Sequence, residues 1–157
     1  MKIDDNKLFI KQKVEKLEIL TDFETKNKYK ILNENNRELY YAYEDSSFIP
    51  RMLLNQMRSL KLHIIDSKKE SCLVVNKSFA FIWPKFEIFS GDGSKIGEIK
   101  TRYKLGGTHK DIYDQNGQLV FKSISNLLHP WTFRVFKKDS PQTQGQEVAI
   151  IFKKWSG

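Results

Sequence analysis

Apolar residues alternate with polar ones over short runs, and turn-forming residues interrupt those runs about every ten positions; this pattern confines the chain to short antiparallel strands. Leu60, Leu62 and Ile64 share one face while Lys61 and His63 share the other. Trp131, Phe133 and Val135 repeat the pattern against Thr132 and Arg134. Ile99, Thr101, Tyr103 and Leu105 do so against Glu98, Lys100, Arg102 and Lys104. The interruptions are 33–36, 66–69, Gly91-Asp92-Gly93, Gly106-Gly107 and Asn116-Gly117, the last a strong two-residue hairpin signal. The expected fold is therefore a single all-β unit over residues 1–157. It has ten or eleven strands, mostly antiparallel chain neighbours, arranged most simply as a barrel or sandwich. Helix is expected only in short pieces: a turn or two at 51–57 after Pro50, and a weaker helical spacing of Val14, Leu17, Ile19 and Leu20.

Composition closes off other classes. With 157 residues, 39% hydrophobic and 13% aromatic, the chain is too apolar for disorder and long enough for one core. Its longest uncharged apolar run, 79–84, is far too short to span a bilayer, so a soluble or peripheral protein is expected. The single Cys72 allows neither an internal disulfide nor a thiolate zinc site, and its apolar run suggests an inert buried thiol. The N-terminus MKIDDNKLFI places acids where a signal peptide needs apolar residues, and a cytosolic location is expected.

Catalysis is not expected. His63, His109 and His129 are scattered, and no nucleophile-elbow, zincin, Walker or dinucleotide motif occurs. The net charge of +8, by contrast, points to an anionic partner, with nucleic acid and an anionic membrane surface equally served by charge alone. Simple solubility is the competing explanation. In a strand, residues two apart lie about 6.6 Å from one another on one face, so Lys100, Arg102 and Lys104 form a row suited to phosphates. Lys26, Lys28 and Lys30 form a second row, and Lys137, Lys138, Lys153 and Lys154 add two pairs. An ordinary solvated strand face explains any single row as well. Trp83, Trp131 and Trp155 border these faces, either as an interfacial belt or as core.

Several stretches resemble a known family. FIKQKVE at 9–15, LEILT at 17–21, FET at 23–25 and NKYKI at 27–31 closely resemble the start of the phospholipid scramblase domain. ELYYAYE at 38–44, Arg51, Arg58, IGEI at 96–99 and IFKKWSG at 151–157 continue the likeness, which covers about 8–157. The resemblance implies a tubby-like antiparallel β-barrel, twelve strands around a C-terminal helix, here incomplete at its C-terminus. It also implies association with anionic phospholipid on the cytoplasmic side of a membrane and a part in plasma-membrane lipid redistribution. A regulatory module binding nucleic acid or protein is the alternative.

Three departures qualify the resemblance. Where the family carries cysteine clusters for acylation, this chain has SFIPRMLL at 47–54 and FAFIWP at 79–84. Met52, Leu53, Leu54, Phe81, Ile82 and Trp83 are therefore candidates for a direct hydrophobic membrane contact. The sequence stops where the family continues into its calcium-binding segment and helix, so no calcium site or other cofactor is assigned. A barrel without that helix needs bulky filling, collapse or a partner. The proline-rich tail that precedes the domain in many members is expected to be missing, a loss of docking motifs that leaves the fold unaffected. With no segment able to supply a path through the bilayer, this chain is not expected to move lipid unaided.

Overall fold

The computed structural model describes residues 5–13, 27–45, 59–80, 82–138 and 145–154. It bears out the expected class: eleven β-strands, antiparallel wherever a register is defined, and no helix among the described residues. The short helical readings at 51–57 and around Val14 lie outside the described residues. Chain contacts divide the molecule into two compact units, residues 1–79 with 88–95 and residues 80–87 with 96–157.

In the first unit β1 (Leu8–Lys13), β2 (Lys28–Asn33), β3 (Glu38–Asp45), β4 (Leu60–Ile65) and β5 (Ser71–Lys77) pair in chain order. Ile31, Leu32, Ala42 and Ile65 are its fully buried apolar residues among those described. Ile31 and Leu32 are buried side by side in sequence, which strict alternation forbids; the pairing with β3 shifts register between them, and such a bulge re-aims one residue. His63 lies directly opposite Tyr43 and stacks on it, centroids 4.9 Å apart. Burial and Lys61 hold that imidazole below its ordinary pKa despite the opposing pull of Asp45.

β6 (Lys85–Ser90) and β7 (Lys95–Lys104) form a hairpin whose tip, 88–95, belongs to the first unit. In the second unit β7, β8 (Gly107–Asp114), β9 (Leu119–Asn126), β10 (Thr132–Lys137) and β11 (Glu147–Phe152) again pair in chain order. One face of these strands buries Thr101, Ser123, Ser125 and Val135, an inner surface made largely of small hydroxyl side chains.

All five turns read from the sequence are present, and four are pinned by one device. Asn33, Asp66, Asp92 and Asp114 each accept hydrogen bonds from backbone N–H groups two or four residues on, for example Asn116 at 2.9 Å and Gln118 at 2.8 Å to Asp114. Gly117 adopts φ 76°, as an Asn-Gly turn requires.

Candidate functional site

The two-residue β7–β8 turn sets which side chains share a face. With Lys104 opposite Gly107, Arg102 falls opposite His109 and Lys100 opposite Asp111. Gly107 is required there, because a Cβ would sit 1.9 Å from the Ser125 carbonyl oxygen. The expected row of Lys100, Arg102 and Lys104 is exposed along one face of β7, with Thr101 between them pointing inward.

Carboxylates whose pairing the sequence reading did not foresee compensate much of that row. Lys100 pairs with Glu98 at 2.9 Å, Lys85 bridges Glu98 at 3.0 Å and Glu87 at 3.1 Å, and Arg102 pairs with Asp111 at 3.1 Å. The acids lie low: Glu98 and Asp111 side chains are 14% exposed, against 45% for Lys100 and 52% for Arg102. The cationic heads thus stand above their counter-ions, a geometry that offers donors to a phosphate at contact distance while weakening the field beyond a Debye length. Lys104 differs, for among the described residues no carboxylate lies within ion-pair distance of it. Together with burial and Lys122 it depresses the His109 pKa, burial being the largest cause. Beside the row an open groove of about 460 Å³ is lined by Trp83, Pro84, Lys85, Lys100, Thr101 and Arg102.

The other candidates are dispersed. Lys28 and Lys30 on β2 are half-buried, and Lys30 pairs with Glu38, which also accepts from Tyr41 at 2.6 Å. Burial first, and then that bond to Glu38, push the Tyr41 phenol up to about 12. Lys26 lies outside the described residues. Lys137 and Lys138 are exposed at the far end of β10, and Lys153 and Lys154 are exposed just after β11. Of the hydrophobic candidates, Ile82 and Trp83 are 56% and 55% exposed, while Met52, Leu53, Leu54 and Phe81 lie outside the described residues, as does Trp155. Trp83 stands against exposed Tyr103, ring centroids 6.4 Å apart.

What the sequence reading missed is a set of exposed apolar tips: Leu105, Leu127, Leu128 and Trp131. Alternation placed Leu105 and Trp131 on the apolar faces of β7 and β10, yet both sit just past a strand end and are exposed.

No group of three His, Cys, Asp or Glu among the described residues is arranged to hold a metal ion. Asp111 is committed to Arg102 and Asp114 to its turn, so these two carboxylates do not combine into a calcium site. Cys72 is half-buried and its thiol pKa is raised chiefly by burial, the environment of an inert thiol. No helix among the described residues is long and apolar enough to cross a membrane.

No solved structure matches this chain. Its sequence is 39% identical over 164 residues to phospholipid scramblase 1 of Mus musculus, covering 97% of this chain and 49% of that protein. It is 37% identical over 162 residues to phospholipid scramblase 2 of Homo sapiens, covering 96% and 53%. A phospholipid scramblase family protein of Schizosaccharomyces pombe is 25% identical over 143 residues, 80% of this chain and 36% of that protein. The chain thus spans about half the length of the mammalian relatives. The Scramblase family itself matches across residues 2–157, so every strand described above falls within that match, and the chain belongs to the scramblase family.

Proposed function

We propose that this chain binds the anionic phospholipid surface of a membrane from its cytoplasmic side and, within the complete protein, takes part in moving phospholipid between leaflets. The observation that carries the reading is the exposed row of Lys100, Arg102 and Lys104, raised above its counter-ions and bordered by the Trp83 groove. Lipid phosphates meet unburied donors there, and Trp83 and Tyr103 suit the headgroup level. Names of the relatives support the same substrate class.

Co-sedimentation with vesicles of phosphatidylcholine, with and without phosphatidylserine, over a salt series tests it. Binding is expected only with the anionic lipid, weakening as salt rises. Nucleic acid shares the need for cations, so duplex DNA is added as competitor; preferential capture by DNA overturns the lipid reading in favour of the nucleic-acid one. Transbilayer movement is read separately by dithionite quenching of a fluorescent lipid in vesicles carrying the complete protein.

A further inference from the structure

Four of the exposed apolar side chains of the second unit, Leu105, Leu127, Leu128 and Trp131, fall together at one end of its strands. Because β7 to β11 alternate in direction, the β7–β8 turn, the β9–β10 loop and the residues after β11 meet there, while the β8–β9 turn lies at the other end. Backbone bonds hold the three segments together: Leu127 N–H donates to the Gly106 carbonyl at 3.2 Å, and Lys153 N–H donates to the Trp131 carbonyl at 3.1 Å. The loop is further fixed by His129 N–H donating to Asn126 Oδ1 at 2.7 Å. On this frame Leu105 is 109% exposed, Leu128 86%, Leu127 73% and Trp131 52%. A single exposed leucine needs no explanation, whereas a cluster on adjoining ordered loops marks an interaction site.

Charge identifies the occupant. No Asp or Glu occurs in 104–110, 126–133 or 151–157, so every formal charge in these segments is positive, including Lys104, Lys153 and Lys154 beside the tips. The opposite end mixes signs, with Asp114 and Glu147 set among Lys137 and Lys138. Two copies meeting tip to tip would set lysine against lysine, whereas an anionic bilayer offers hydrocarbon to the leucines and phosphates to the lysines.

We propose that Leu105, Leu127, Leu128 and Trp131 form a loop cluster that inserts into the interfacial region of an anionic bilayer, with Lys104, Lys153 and Lys154 at headgroup level. The proposal rests on the membrane reading above and adds the orientation: the β8–β9 turn faces away from the lipid. Eight residues of β8 separate the two ends by roughly 26 Å, close to the thickness of the hydrocarbon core itself, so one end inserts while the other stays in water.

The test uses the protein with Cys72→Ser and a single new cysteine, Leu128→Cys at the tip or Asn116→Cys in the opposite turn, each bearing a polarity-sensitive fluorophore. With vesicles of phosphatidylcholine and phosphatidylserine, the label at 128 is expected to shift to the blue and to be quenched by brominated acyl chains. The label at 116 is expected to do neither. If the protein co-sediments while the label at 128 stays in water, the insertion is overturned and the membrane reading stands. If nothing co-sediments, the membrane reading fails and the proposal with it. A blue shift at 128 that grows with protein concentration and no lipid assigns the tips to self-association and also overturns it. In the unlabelled protein, Leu127→Ser with Leu128→Ser is expected to weaken vesicle binding about tenfold with the circular dichroism unchanged, and unaltered affinity counts against the proposal.

Discussion

Lys153 reaches back to Trp131 twice, its backbone N–H on the tryptophan carbonyl at 3.1 Å and its ammonium 5.4 Å from the ring centroid. The residue after β11 is thereby tied to the residue before β10, extending the pairing of Thr132 with Phe152 by one more step. Lys153→Gln keeps the backbone bond and loses the exposed cation–π contact, an expected cost of about 0.5 kcal/mol in urea unfolding. Lys153→Pro removes the donor as well and is expected to cost about 1 kcal/mol more.

Lys104 and Arg102 stand two residues apart on one strand face but are not electrically equivalent. Arg102 already holds Asp111 at 3.1 Å, so Arg102→Gln releases an acid along with the lost base. Lys104→Gln is therefore expected to weaken binding to anionic vesicles about fivefold, the worth of about 1 kcal/mol per unshielded cation at such a surface. The Arg102→Gln effect is expected to be at least as large, because the same unit of charge is lost and Asp111 is left bare, whereas Arg102→Gln combined with Asp111→Asn is expected to be near zero. Co-sedimentation of the three variants side by side checks the ranking.

Thr101 is 4% exposed, and its Oγ1 is buried with no hydrogen-bond partner among the described residues. An unmet buried hydroxyl costs free energy that valine, of the same shape, avoids. Thr101→Val is expected to stabilise the protein by about 1 kcal/mol, raising the thermal midpoint by about 3 °C for a chain of this size.

Asp92, at the tip of the β6–β7 hairpin, is held at about 2 by hydrogen bonds, first from Ser90 Oγ and then from Ser94 N–H at 2.9 Å. Its folded pKa lies below the ordinary 3.8, so proton uptake favours the unfolded chain. The stabilisation is complete above about pH 4 and drains away as pH falls toward 2. Asp92→Asn lacks this titration, and the stability gap between the two proteins is expected to narrow over that window in acid denaturation followed by circular dichroism.

Turns and faces were readable because their causes are local. An Asx side chain closing on its own backbone and a glycine at positive φ are properties of four consecutive residues, and Asp66, Asp92 and Asn116-Gly117 announced them. The facing of Lys100, Arg102 and Lys104 followed from period-two alternation in the same way. What escaped depends on register and coverage. Pairing of Arg102 with Asp111 requires the β7–β8 register, which the Gly106-Gly107 turn implies once Lys104 is set opposite Gly107. Exposure of Tyr103, Leu105 and Trp131 depends on where the neighbouring strands stop, and alternation tells which face a side chain takes but not whether anything lies over it.

Pairing in chain order also governs how such a chain reaches its fold. Where each of β7 to β10 docks on the strand just made, the search for a partner spans a hairpin rather than the molecule, and the entropy of closing large loops is avoided. Low contact order of this kind favours rapid zippering from the Asx-pinned turns outward, with each strand edge covered by the next segment to emerge during synthesis. A β-protein assembled in that sequence exposes its unpaired edges only briefly, which limits the interval in which they can seed aggregation.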